Sequence, residues 1–331
     1  MPEVLRTLKD GYWDRTTVIR FDDGTLRVRK ECRKTDQPGP WAHAALRTEI
    51  AYLQSLPDHL KGHFPPLLCS WDAESIGYEI PFYEDRSDFS SFVLAGEVDQ
   101  APADEMQRQL ADVVFEGIHR LAPPHDTGFA DHVREVILES IDALASDEQF
   151  LPLLAPETVT INGHSLPGLR ASANSLQDRG LFGRLEASRP VRLHGDLILE
   201  NILWPPLLLI DPVSVAGLDS GHPLFDLVKF ESFASGELYA IREEFVAAGP
   251  CAHGFSLVID WDHSELKPFR QVDLLSTLRS HYLRAHGEVD SQLYALLDGY
   301  FSLVMARNTT GLHQWARVIK GCQCLAAAGR D

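Results

Sequence analysis

The stretch from Val191 to Pro212, Val-Arg-Leu-His-Gly-Asp-Leu-Ile-Leu-Glu-Asn-Ile-Leu-Trp-Pro-Pro-Leu-Leu-Leu-Ile-Asp-Pro, restricts this chain more than any other part of it. Two apolar, β-prone segments, Ile202 to Trp204 and Leu207 to Ile210, flank Pro205-Pro206. Prolines belong in the turn, because they cannot donate to a strand ladder. A tight hairpin puts Asn201 at the entrance of one strand and Asp211 at the exit of the other, on the same end. Asp196 lies in the loop just before. Three oxygen-bearing side chains thus converge at one edge of a hairpin. That set suits Mg²⁺, which takes a few protein oxygens and keeps water and phosphate as its other ligands.

The rest of the chain divides in two. Thr17 to Phe21 is β-prone, Asp23-Gly24 is a hairpin turn signal, and Thr25 to Glu31 resumes the extended pattern. After a polar loop with Pro38, Gly39 and Pro40, Trp41 to Leu56 shows helical spacing through Ala45, Leu46, Ile50 and Leu53, ended by Pro57. Leu67 to Trp71 and Ile76 to Phe82 complete an expected five-stranded lobe with one helix. Tyr83 to Asp88 is a polar connector. Helical patterns dominate beyond it: Ala103 to Leu121, ended by Pro123-Pro124, and His132 to Ala145. Asn162-Gly163 within Thr158 to Leu166 marks a small surface hairpin. The last eighty residues are expected to be mostly helical, with breaks near Gly287 and Gly311. The expected fold class is α+β, with a small β-rich lobe over residues 1–83. A larger, mainly helical lobe covers 84–331 and carries the hairpin in an insert at about 124–190.

His-x-Asp, an Asn five residues after the Asp, and a second Asp after a hydrophobic strand resemble the catalytic loop and metal-binding aspartate of the protein-kinase-like superfamily. The glycine in His194-Gly195-Asp196 is similar to its small-molecule branch, which includes aminoglycoside phosphotransferases, choline kinases and fructosamine kinases. So is the segment Gly221-His222-Pro223-Leu224-Phe225-Asp226-Leu227-Val228-Lys229. The resemblance runs from about residue 10 to 235, and the last hundred residues share only helical character. It implies a bilobal kinase-like fold and ATP-dependent phosphate transfer to a hydroxyl. Asp196 would accept the hydroxyl proton, Asn201 and Asp211 would hold magnesium, and His194 would brace the catalytic loop. Asp226 would anchor that loop through backbone hydrogen bonds.

Such a fold needs a cation on its third strand for the α- and β-phosphates and a helix acid to position it. Strand alternation in Leu26-Arg27-Val28-Arg29-Lys30 puts Leu26, Val28 and Lys30 on one face. Val28 then lines the adenine pocket and Lys30 reaches the phosphates, with Arg29 in that role should the register slip by one. Glu49 resembles the partner acid. The hinge falls at Glu79 to Tyr83, and Lys9 to Thr16 would cover the phosphates. That loop has one glycine, which leaves ATP against GTP open. Pro212 stands where protein kinases have Phe-Gly, and the Asn201–Asp211 gap is short. No activation loop separates Asp211 from Asp226, so protein substrates are not expected.

The formal net charge of -18 argues against nucleic acid and anionic membranes as partners and is compatible with a cationic acceptor. No apolar run reaches the roughly 18–20 residues that span a bilayer. The five cysteines fit no zinc or redox spacing and read as free thiols of a cytoplasmic protein. His119 is read as structural, and Trp204 and Phe225 as core. Asp219 and His222 are candidate substrate contacts. With no evident aromatic box for a quaternary ammonium, the expected acceptor is a sugar, aminosugar, or aminoglycoside- or nucleoside-type natural product. A fructosamine- or simple-sugar-type kinase is the alternative, and a nucleotide-binding pseudokinase scaffold is the alternative of another class. The acceptor pocket falls to regions without a motif, so the acceptor itself is not legible.

Overall fold

The structure is a computed structural model that describes residues 2–10, 14–33, 40–123, 128–187, 189–213 and 217–330. Its first lobe is an antiparallel sheet of β1 (Glu3–Asp10), β2 (Arg15–Arg20), β3 (Leu26–Arg33), β4 (Cys69–Asp72) and β5 (Ser75–Pro81). The spatial order is β1-β2-β3-β5-β4. Gly24 turns β2 into β3 at φ 83°, which glycine adopts without strain, and the Asp23 carboxylate accepts from Thr25 N at 2.9 Å. Helix α1 (Pro40–Gln54) lies on the sheet and buries Ala42, Leu46, Tyr52 and Leu53. A single extra turn, Asp58–Lys61, follows. Strand β1 is the fifth strand of the expected lobe, the one for which the sequence offered no segment. It is an edge strand exposed along its whole length, with two register shifts against β2, so burial imposes no alternation on its sequence.

The connector leads into Ser87–Asp88, which pairs at once with Trp204 and Leu203. Then come α2 (Gln100–Val114), α3 (Phe129–Leu144), β6 (Thr158–Ile161), β7 (His164–Pro167), β8 (Ile202–Trp204), β9 (Leu208–Leu209) and α4 (Leu224–Ala234). The chain continues with β10 (Val246–Cys251), β11 (Gly254–Ile259), α5 (Ser276–His286), α6 (Ser291–Ala306) and α7 (Gly311–Ala328). Helix α4 sits at the centre and buries Leu224, Phe225, Leu227, Val228 and Phe230. None of the helices among the described residues is long and apolar enough to cross a membrane. The fold class is the expected one, a small antiparallel sheet lobe followed by a helical lobe.

Three local expectations are corrected. The Ala103 helix stops at Val114, well before Pro123, and gives way to a short turn at Ile118–Arg120. A Cβ on Gly117 would lie 2.4 Å from the Val113 carbonyl oxygen, so the chain bends at a residue that must stay glycine. The Asn162-Gly163 hairpin is not an isolated surface feature. Strand β11 pairs in parallel with β6, and β10 and β11 complete a four-stranded sheet. Asn162 clamps it, donating to Leu257 O at 3.0 Å and accepting from Leu257 N at 2.9 Å. The last eighty residues are mostly helical, as expected, with β11 as a strand among them. Trp204, read as core, is half-buried with its edge toward Phe89, whereas Phe225 is fully buried.

Gly221 also has a packing role, since a Cβ there would sit 2.3 Å from the Phe129 ring. Gly221→Ala is expected to cost about 1–3 kcal/mol, read as a lower midpoint in urea denaturation. An unchanged midpoint would mean that Phe129 can move aside.

Candidate active site

Strand alternation separates the basic residues of β3. Arg29 turns to the outer face and donates to Glu79 Oε1 at 2.6 Å, and Arg27 donates to Glu79 Oε2 at 3.0 Å. Lys30 turns inward and is buried. Its ammonium lies 3.0 Å from Glu49 Oε2, 3.2 Å from Asp211 Oδ1 and 3.9 Å from Asp14 Oδ2. Burial opposes its charge, but Asp211 and Glu49 outweigh burial and hold Lys30 well above the ordinary lysine value. Burial pushes the Glu49 carboxyl up to about 7 against the pull of Lys30, and Tyr78 OH donates to Glu49 Oε1 at 2.6 Å. Asp211 is pushed up by burial but pulled below its ordinary value by Lys30 and Lys9.

The hairpin forms as its apolar segments require: Ile202 pairs with Leu209 and Leu203 with Leu208 around a cis Pro205-Pro206 bond. Ile210 N donates to Asn201 O at 3.0 Å, which sets the two ends of the hairpin side by side. Asn201 donates through Nδ2 to Asp196 O at 2.8 Å and to Asp196 Oδ2 at 3.1 Å. Beyond the hairpin, Asp211 and Val213 have φ of 51° and 80°. A β-branched residue pays for that conformation, and the bond from Val213 N to His194 O at 2.5 Å helps to hold it.

The loop that carries Asp196 is tied from beneath. Asp226, fully buried at the start of α4, accepts from His194 N and Gly195 N, each at 2.8 Å. Gly195 has φ 84°, which explains glycine between the histidine and Asp196. Asp226 Oδ2 also meets His119 Nε2 at 3.1 Å, and His119 Nδ1 meets His286 Nε2 at 2.9 Å. Burial pushes the Asp226 carboxyl up, but His119 and the Gly195 N–H more than reverse this and hold it below the ordinary value. Burial lowers His194 and favours its neutral form, and the ring stacks on Phe64 at 6.2 Å.

Lys30, Glu49, Asp14, Asp196 and Asp211 line one cavity between the lobes. A neighbouring cleft of about 510 Å³ is lined by Val28, Ile80, Leu203 and Ile210, with Lys30, Asn201 and Asp211 at its polar end. Phe82 and Tyr83 of the expected hinge border it, while Glu79 O is already occupied by Leu68 N at 2.8 Å. In the loop expected to cover phosphates, residues 11–13 lie outside the described residues. Asp219 and His222 are engaged structurally: Asp219 is buried against Ser220 Oγ at 3.2 Å, and His222 Nδ1 accepts from Leu224 N at 3.1 Å. Burial lowers His222 to about 4.

Two charged residues at the site were missed. Asp14 is a buried carboxylate in what reads as a loop, and no periodicity points to it. Lys229 ends the Gly221 segment, and its Nζ lies 3.0 Å from Asp196 Oδ1.

No protein-family model matches the chain, and no curated protein matches it in sequence. Solved structures are similar to it over nearly the whole length. The choline kinase LicA from Streptococcus pneumoniae superposes with a TM-score of 0.55 at 14% identity, over 98% of this chain and 93% of that one. LicA in complex with AMP gives a TM-score of 0.57 at 16% identity, over 99% and 93%. A Thermobifida fusca protein assigned as a fructosamine-3-kinase gives 0.51 at 16% identity, over 98% and 94%. The fold is therefore that of the kinase-like small-molecule phosphotransferases.

Proposed function

We propose that this chain transfers the γ-phosphate of ATP to a hydroxyl of a small polar molecule. Asp196 is the catalytic base, and Asn201 and Asp211 are the magnesium ligands. The reading rests on one observation above all. The hairpin brings Asp196, Asn201 and Asp211 to the edge of a cleft where Lys30 is held 3.0 Å from Glu49. The donor set fits magnesium: Asp211 offers a carboxylate, and Asn201, with Nδ2 committed to Asp196, is left with its amide oxygen. When bound, the metal would neutralise charge on the transferring phosphates. The protein's own part is to hold nucleotide through Lys30 and the apolar Val28 wall, and to hold Asp196 against the acceptor hydroxyl.

The acceptor class is a sugar, aminosugar or aminoglycoside- or nucleoside-type compound. The rings that the structure brings to the Asp196 side, Phe301 and Phe233, already carry the Lys229 ammonium at 4.9 and 5.8 Å. This weighs against a choline-like acceptor. Nucleotide-dependent scaffolding without catalysis is the competing reading, and an intact Lys30–Glu49 pair disfavours it.

The test is magnesium-dependent ADP release, with ATP and then GTP, against aminoglycosides, nucleosides, amino sugars, simple sugars and choline-type alcohols. A hit names the acceptor class. Silence across the panel with nucleotide binding intact would favour the scaffold. Lys30→Met is expected to lower kcat/KM for ATP about a hundredfold, because a charge-assisted phosphate contact is removed. Steady-state kinetics with the best acceptor check this, and an unchanged kcat/KM would remove Lys30 from the nucleotide site.

A further inference from the structure

Lys229 lies one turn beyond Asp226 on α4, so the helix that anchors the catalytic loop also delivers a cation to it. The Lys229 and Asp196 side chains are 15% and 24% exposed, with Nζ 3.0 Å from Oδ1. Asp196 Oδ2 is taken by the Asn201 amide at 3.1 Å. Oδ1 is thus the oxygen left to meet an acceptor hydroxyl, and Lys229 sits on it. Among the described residues, Asp196 is the only polar partner of this ammonium, which has three N–H donors. The intervening loop, Leu197-Ile198-Leu199-Glu200, contains no cation. Lys30 is committed to Glu49 and Asp211.

We propose that Lys229 is a further catalytic residue, whose ammonium steadies Asp196 Oδ1 and contacts the oxygens of the phosphoryl group in transit. The proposal rests on the reading of Asp196 as the base. In the step, the acceptor oxygen bonds to the γ-phosphorus as the bond from that phosphorus to the β,γ-bridging oxygen breaks. The hydroxyl proton passes to Asp196, and ADP leaves with the bonding electron pair. Lys229 keeps its proton throughout. The acceptor oxygen must touch both Asp196 and phosphorus, which places the phosphoryl group within roughly 6 Å of Oδ1. An ammonium bonded to Oδ1 reaches that space, and a cation there acts on charge that develops during transfer.

Lys229→Met keeps the stem against Phe301 and removes the charge, whereas Lys229→Arg keeps the charge. The probes are MgADP alone and MgADP with aluminium fluoride, which imitates the phosphoryl group in flight. In the wild type, fluoride is expected to add thermal stabilisation beyond MgADP. Lys229→Met should bind MgADP within about threefold of wild type, lose the added shift, and turn over ATP at least about tenfold more slowly. Lys229→Arg should regain most of both. A Met variant that keeps the added shift and its turnover overturns the proposal while leaving the phosphotransfer reading intact. A wild type that binds MgADP but gains nothing from fluoride sinks that reading, and the role of Lys229 with it. If the Met variant does not bind MgADP, Lys229→Gln decides by the same comparison.

Discussion

Replacing Asp196 by asparagine is expected to lower turnover about a thousandfold, within the range that a positioned general base supplies. Affinity for magnesium nucleotide should stay within a few-fold. The substitution preserves shape, so Asn201 can still hold the loop through Asp196 O at 2.8 Å. Lys30, Asn201 and Asp211 are untouched. What disappears is the carboxylate proposed to accept the hydroxyl proton, which is also the counter-ion of Lys229. Calorimetry with MgADP and an ADP-release assay separate the two effects. Near-normal turnover would show that Asp196 is not the base, and a loss of MgADP binding would show that it belongs to the nucleotide site.

The second large effect is on stability. Asp226→Ala is expected to destabilise the protein by about 3–5 kcal/mol, since it removes a buried carboxylate and strands its partners. Two backbone N–H groups, of His194 and Gly195, and the His119 ring would lose their acceptor together. Asp226→Asn keeps one acceptor oxygen and should cost less. The pH dependence has a definite sign. The folded carboxyl lies below its ordinary value of 3.8, so it contributes stability at pH above that value. The contribution is lost as pH falls through the folded pKa. Urea denaturation of wild type and variant at neutral and acid pH measures this. The gap between them should narrow on acidification, and a gap that widened would contradict the proposed charge state.

The hairpin was legible because two apolar runs around Pro205-Pro206 leave the chain few alternatives. The inward turn of Lys30 was legible from strand period alone, with Arg29 drawn to Glu79 on the other face. Other features depend on tertiary partners. Lys229 reads as one more residue of a hydrophobic helix until the fold sets it beside Asp196. Strand β1 carries no burial signal, and β11 is specified by its neighbour β6, nearly a hundred residues earlier in sequence. The early end of α2 follows from the close approach at Gly117, which no local pattern announces.

Phosphorus NMR of the wild-type protein with MgATP and the best acceptor from the panel follows the proposed transfer itself. The γ-phosphate signal is expected to be replaced by ADP and a new phosphomonoester in equal amounts, and chelating magnesium should stop the change. ADP accompanied only by inorganic phosphate, or bound ATP that persists unchanged, would contradict that transfer.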